Sequence, residues 1–414
     1  MATKAKWPTK RLAELAEFRN GVNYNKSSFG DGVKVVGVSD FQDYTKPRYA
    51  ELEQINPEGI VTERNILHDG DIVFVRSNGN RELIGRSLFI EQPPEEVTHS
   101  AFTIRLRFSS REVHPKFYAY CFRTPSIRQG LTAQGGGTNI NNLNQDILNA
   151  LEVPVPPLPV QRRIAEILSA YDELMENCQR RIQILEAIAR AIYHEWFVSF
   201  RFPGHEKFPR VESPLGKIPK SLEGRFGDLA TIRRDGINPF EFPSEQFEHF
   251  SIPAFDNGRQ PGIELGETIL SGKYCIDSSC VLLSKLNPRI PRIWLPEPSG
   301  QRRAITSTEF LVLTPRPGVT REFIYAKCCS DEFAGQFGSL AIGTSTSHQR
   351  VKPDNLLAMP SIIPDQKISA RFSALVAPLL TANQQLRAKI QNLRRTRDLL
   401  LPRLLSGQIN LETN

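Results

Sequence analysis

Residues 154–197 read PVPPLPVQRRIAEILSAYDELMENCQRRIQILEAIARAIYHEWF, and the phase of the apolar residues in this stretch decides the fold. Prolines crowd Pro154 to Pro159 and are then absent as far as Phe202. Proline is tolerated before a helix and in its first turn but not in its interior, so a long helix opens here. Ile164, Ile167, Tyr171, Leu174, Cys178, Arg181, Leu185, Ile188 and Ile192 follow alternating steps of three and four, which is the a/d seam of a coiled coil interrupted by Arg181. A second stretch, after Pro360 to Pro364, repeats it with Phe372, Leu375, Leu379, Ala382, Leu386, Lys389, Leu393, Thr396 and Leu400. A shift of 208 residues carries Ile164 to Phe372 and Arg181 to Lys389. A polar seam residue can set register at some cost in stability; equally, the two basic groups can snorkel out of a frayed seam.

The repeat extends outward from the helices. Leu15-Ala16 with Arg19 to Asn23 resembles Leu229-Ala230 with Arg233 to Asn238, and Asp71-Ile72-Val73-Phe74-Val75-Arg76 resembles Cys280 to Lys285, an apolar strand delivering a basic residue. Ser100-Ala101-Phe102 matches Ser307 to Phe310, Lys116-Phe117-Tyr118 matches Glu322-Phe323-Ile324, and Gly137-Thr138-Asn139 matches Gly343-Thr344-Ser345. The exits at Gln161 and Gln366 also correspond, at an offset of 205, and a three-residue shift near Pro378 would reconcile this with the heptads. Six matches in one order make chance a poor explanation. The pattern predicts an α+β chain: two α/β units related by an internal pseudo-two-fold repeat and separated by two long helices that pair as an antiparallel coiled coil. The divisions fall at 1–156, 157–203, 204–364 and 365–414. A straight helix over 162–198 spans ~55 Å at 1.5 Å per residue, longer than the ~34 Å of one DNA turn, so such a pair could act as a ruler between two recognition units.

Composition narrows the function. With 40% hydrophobic and 23% charged residues over 414 positions, the chain folds into more than one core. The +7 net charge makes a polyanionic partner plausible. Residues 1–150 and 201–350 each carry 19 basic and 17 acidic groups, so any nucleic-acid surface must be assembled by folding. The six cysteines form no CxxC pair, and no apolar run is long enough to span a membrane, which suits a cytoplasmic protein without a zinc site.

Candidate DNA contacts lie at strand ends and glycine loops: Arg76, Asn78, Asn80, Arg81 and Arg86 in the first unit, and Lys285, Asn287, Arg289 and Arg292 in the second. Arg offers a fork to guanine, Asn to adenine, and Lys a point charge to phosphate. The loops add Gln134, Thr138 and Asn139, and Thr344, Ser345, His348 and Arg350, on chain that can approach a backbone closely. The aromatics Phe117, Tyr118, Tyr120 and Phe122 suit core packing better than base stacking. Acid pairs such as Asp69/Asp71 and Glu95/Glu96 suit a solvated surface better than a nuclease.

The order PVPPLPVQRRIAEIL, AIYHEWFVSFRFPG, LGKIP and finally RTRDLLLPRLLSGQI resembles the specificity subunit of type I restriction-modification systems, over essentially the whole chain and most specifically at 145–203 and 353–411. The resemblance implies that each α/β unit is a target recognition domain reading one half of a bipartite target in double-stranded DNA. It further implies that Gln161–Phe200 and Gln366–Ile409 form the coiled coil and dock two methyltransferase subunits, which a restriction subunit can join. S-adenosylmethionine, ATP and Mg would then belong to partners, and this chain would hold no cofactor and perform no chemistry. No Asn/Asp-Pro-Pro-Tyr/Phe motif and no GxxxxGK[ST] occurs. A stand-alone DNA enzyme would need such motifs; a coiled-coil adaptor without DNA would need neither them nor the basic clusters.

Overall fold

The computed structural model describes residues 7–42, 45–133, 142–213, 216–342, 349–409 and 411. One compact unit is Met1–Met175 with Asn392–Asn414, and the other is Glu176–Gln391.

In the first unit, four antiparallel strands lie in the order Ala16–Asn20, Thr103–Phe108, Ile72–Val75, Ser87–Phe89. The second unit has the same order with Ala230–Arg233, Phe310–Pro315, Val281–Ser284 and Ile293–Trp294. The strand Ile72–Val75 is apolar throughout because it is covered on both faces: Ile72 and Phe74 enter one core, Val73 and Val75 another. Val281 and Leu283 divide from Leu282 in the same way. A further sheet completes each unit. It runs Glu53–Ile55, Phe29–Val36, Val97–His99 in the first, and Gly236–Ile237, Lys273–Cys275, Arg303–Ser307, Gln246–Phe250, Gly262–Leu265 in the second. One pair is parallel in each: Phe29–Val36 with Val97–His99, and Gln246–Phe250 with Arg303–Ser307. Helices Pro115–Cys121 and Arg321–Cys328 occupy matching places in the chain, and the aromatics Phe117, Tyr118, Tyr120 and Phe122 are all buried.

The two long helices are Leu158–Phe197 and Gln366–Leu405, 40 residues each. Asp365 Oδ1 caps the second by accepting the Ile368 N–H at 2.8 Å. Pro378 lies exposed within it without ending it. Within the second unit the helical segments run antiparallel: Glu186 meets Arg387, while Tyr193, Trp196 and Phe197 further along the first helix meet Phe372, earlier on the second. Within the first unit, Asp172 meets Arg397, and Ile164 and Leu168 share a core with Leu404 and Leu405.

The seam differs from the sequence reading in phase. Ile164, Cys178, Phe372 and Leu386 are buried, and Ile167, Tyr171, Leu185, Ile192, Leu379, Leu393 and Leu400 are half-buried. Leu174, Ile188 and Leu375, by contrast, are 47%, 42% and 51% exposed, and Arg181 and Lys389 are exposed as well. Burial passes instead to Leu168, Ile182 and Ala189, and to Val376 and Asn383, with Met175, Ile390 and Arg397 half-buried. The steps therefore run four then three. The cause is that each helix also packs on an α/β unit, which widens the buried arc and moves its centre by a residue. The offset of 208 survives, since it carries Leu168 to Val376 and Ile182 to Ile390. Ile182 joins Cys178 and Leu386 in a small apolar cluster, so Arg181 and Lys389 do not interrupt the seam.

No three-residue shift is needed either. Gln161 is fully buried, and its Oε1 accepts the His114 N–H at 2.8 Å. Ser369, 208 residues on, is equally buried, and its Oγ accepts the Thr320 N–H at 3.1 Å. His114 and Thr320 are the caps of the two short helices. The counterpart of Gln161 is therefore Ser369, not Gln366.

Candidate nucleic-acid interface

Where the central strand of each unit ends, the chain builds the same junction twice. The Arg76 N–H donates to Phe102 O at 2.8 Å, and Arg76 O accepts the Leu143 N–H at 2.8 Å. The Lys285 N–H donates to Glu309 O at 2.9 Å, and Lys285 O accepts the Val351 N–H at 3.0 Å. Isolated bridges Ser77 to Asn142 and Leu286 to Arg350 follow. Each junction thus holds a basic residue between a tight turn and the end of a glycine-containing loop. Both side chains are half-buried, and neither has a hydrogen bond or ion pair among the described residues. A cation left without a protein partner on a fixed backbone is available to an anion or a base edge.

The other candidates divide by what they already hold. Asn78 Oδ1 accepts the Asn80 N–H at 2.7 Å and Asn80 Oδ1 accepts the Glu82 N–H at 3.0 Å, so their oxygens shape the loop. Arg81 opens a short turn, Arg81–Leu83. Arg86 donates to the carbonyls of Glu82 and Gln42 and clamps that loop. Asn287 takes a left-handed φ of 49° and donates its N–H to Gln349 O at 2.8 Å. Arg289 is exposed and has no partner among the described residues. Arg292 is held by Asp256 at 2.7 and 2.9 Å with its side chain 12% exposed, which is a structural engagement. Arg350 pairs with Glu309 at 3.0 and 3.2 Å. Gln134, Thr138, Asn139, Thr344, Ser345 and His348 lie outside the described residues.

At the other end of the strand Ile72–Val75, charged side chains are held by the fold. Arg107 holds the buried Asp71 carboxylate with two contacts of 2.7 Å, and Asp69 accepts the Gln92 N–H, so both acids serve structure. His99 is buried, and its Nδ1 lies 2.9 Å from Thr103 Oγ1, whose hydroxyl donates to Ser100 O. Nδ1 is therefore the protonated nitrogen. Burial, and then the nearby Arg105, Arg107 and Arg19, push the imidazole down to about 3 and keep it neutral. The described residues contain no cluster of His, Cys, Asp and Glu fit to hold a metal ion.

A family model for the type I restriction modification DNA specificity domain matches residues 4–187. A relative named type I restriction enzyme MjaIX specificity subunit, from Methanocaldococcus jannaschii, is 23% identical over 98% of this chain and 94% of its own length. Residues 4–187 carry the type I restriction modification DNA specificity domain, and over nearly its whole length the chain is similar to a type I specificity subunit. The type I restriction enzyme StySPI specificity subunit of Salmonella potsdam is 24% identical over 45% of this chain and 41% of that protein. The crystal structure of a type I restriction-modification S subunit from M. genitalium shares the fold, with a TM-score of 0.60 at 16% identity over 98% of this chain and 97% of that one. Specificity subunits of type I restriction-modification systems are not catalytic. No helix among the described residues is long and apolar enough to cross a membrane.

Three features of this chain have no clear signal in its sequence. One is the pair Gln161/Ser369. Another is a buried polar network in the first unit: Tyr120 Oη donates to Asp172 Oδ2 at 2.8 Å, Arg397 reaches Oδ1 at 2.5 Å, and Arg123 stands 3.8 Å away. The third is Phe102, 61% exposed at the first junction. Only the apolar spacing around Tyr120 hinted that it is buried.

Proposed function

We propose that this chain reads a bipartite DNA target, one half through the unit of residues 1–156 and the other through 204–364. The helical segments 157–203 and 365–414 set the gap and dock two methyltransferase subunits, which a restriction subunit can join. S-adenosylmethionine, ATP and Mg then act on those partners. The observation that carries this reading is the duplicated junction. Arg76 and Lys285 occupy one place in two units of one topology, each held by backbone bonds and each without a side-chain partner among the described residues. Two such elements on one chain suit two short blocks of sequence better than one continuous block.

The test is methylation mapping after co-expression with the cognate methyltransferase subunit. The expected motif is two specified blocks around an unspecified gap. Arg76→Ala relaxes one block and Lys285→Ala the other. A continuous motif, or one in which both substitutions alter the same block, refutes the reading. Removing one heptad from both helices shortens or abolishes the gap, and an unchanged gap removes the ruler.

A further inference from the structure

The first junction carries an aromatic ring that its fold does not use. Phe102 is 61% exposed and has no ring contact among the described residues. Its turn is nevertheless rigid: the Ala101 N–H donates to Val22 O at 2.8 Å, the Phe102 N–H to Ser100 Oγ at 3.2 Å, and the Thr103 N–H to Ser100 O at 2.8 Å. The Phe102 carbonyl accepts the N–H groups of Arg76 and Ser77, at 2.8 and 3.3 Å. The backbone that carries the ring is thereby fixed against the backbone of the unpartnered Arg76.

The second unit builds the same turn with a different residue. Glu309 donates its N–H to Ser307 Oγ at 3.2 Å, accepts the Lys285 N–H on its carbonyl, and has its carboxylate held by Arg350. The turn therefore does not require an aromatic side chain, and the exposure of Phe102 calls for an explanation outside the fold. Resting on the DNA reading above, we propose that Phe102 reads a thymine in the half-site addressed by the first unit, through apolar contact with the C5 methyl group. That methyl is the one apolar feature the base edges present in the major groove, and Phe is among the side chains suited to it. Arg76 beside it supplies the polar contact. Because the turn is ordered before DNA arrives, little flexibility is lost on binding. At the matching place Glu309 and Arg350 present only charged groups, so the two units read different chemistry from one scaffold.

The experiment uses the complex with its cognate methyltransferase subunits and a duplex carrying the mapped target. Each thymidine is replaced in turn by deoxyuridine, which removes only the methyl. One replacement in the first unit's half-site weakens binding by wild type about fourfold, the worth of one buried methyl group. The same replacement leaves Phe102→Ala unaffected, while Phe102→Leu retains part of the discrimination. The proposal is overturned if that half-site contains no thymine, if no replacement there affects wild type, or if the effect persists in Phe102→Ala. Loss of affinity in Phe102→Ala without any deoxyuridine effect also overturns it, since the ring would then act as a wedge between bases. A wild-type complex with no two-block target fails at the mapping stage, before any substitution, and removes the underlying reading instead.

Discussion

In the first unit Asp172 is surrounded by Tyr120, Arg123 and Arg397, with carboxylate and guanidinium side chains 11% and 19% exposed. The repeat supplies a natural control. The offset of 208 carries Asp172 to Leu380 and places Arg397 against Ala189, while the matched short helices place Tyr120 against Ala326 and Arg123 against Cys329. In the second unit Ala189, Ala326, Cys329 and Leu380 line one cavity of about 140 Å³. The same place is thus filled by a polar network in one unit, while in the other it borders a cavity walled by these apolar side chains together with Glu186, Arg190 and Arg259.

Removing one partner of a fully buried pair costs about 3–5 kcal/mol, because a charge is left uncompensated, whereas replacing both by apolar groups is often neutral. Here Arg397 would retain Asp398 at 2.8 Å, and Asp172 would retain Tyr120. We therefore expect about 2–3 kcal/mol for Asp172→Leu and for Arg397→Ala singly. The triple variant, with Tyr120→Phe added to remove the orphaned hydroxyl, should cost about 1 kcal/mol against about 4–6 kcal/mol for the two single costs added, a coupling of at least ~3 kcal/mol. Hydrogen exchange of residues 115–121 and 158–175 measures this locally, with 321–328 as the internal reference. If the costs of the single variants simply add, the three side chains do not act as one network and the reasoning is refuted.

Two further outcomes test the seam and the buried histidine. Ile182→Ala should destabilise the second unit by about 2–4 kcal/mol, since a buried aliphatic side chain is lost, while Arg181→Ala and Ile188→Ala at exposed positions should change it by less than ~0.5 kcal/mol; equal effects in urea unfolding would restore the original seam. The folded His99 titrates near 3 and the unfolded one near 6.5, so between these values the unfolded chain binds more protons and stability rises with pH. The first unit should lose up to about 1.4 kcal/mol per pH unit as pH falls below 6.5. His99→Gln should flatten that slope between pH 6.5 and 4.5, and an unchanged slope would assign it to other groups.

Much of the design was legible because it rests on local periodicity repeated at long range. The prolines before Leu158, the heptads and the apolar runs at 72–75 and 281–284 each reflect a short-range rule, and their recurrence exposed the doubling. The phase of the seam was not legible. Leu174, Ile184 and Ile188 are as hydrophobic as the residues that bury, and only an α/β unit packed on one side of the helix selects among them. Likewise Gln161 resembles Gln366 by type, yet its role passes to Ser369 because only that position meets the Thr320 N–H.

The sequence alone determined that one plan of roughly two hundred residues is used twice, and it located the basic residues at strand ends and loops. The tertiary structure decided which of those residues are free. Arg292 and Arg350 look like Arg76 in the chain, but Asp256 and Glu309 hold them, while Arg76 and Lys285 keep no partner among the described residues. The physical reason is that charge pairing and exposure depend on neighbours tens to hundreds of residues away. Residue type records what a side chain can bind, and packing determines what it already has.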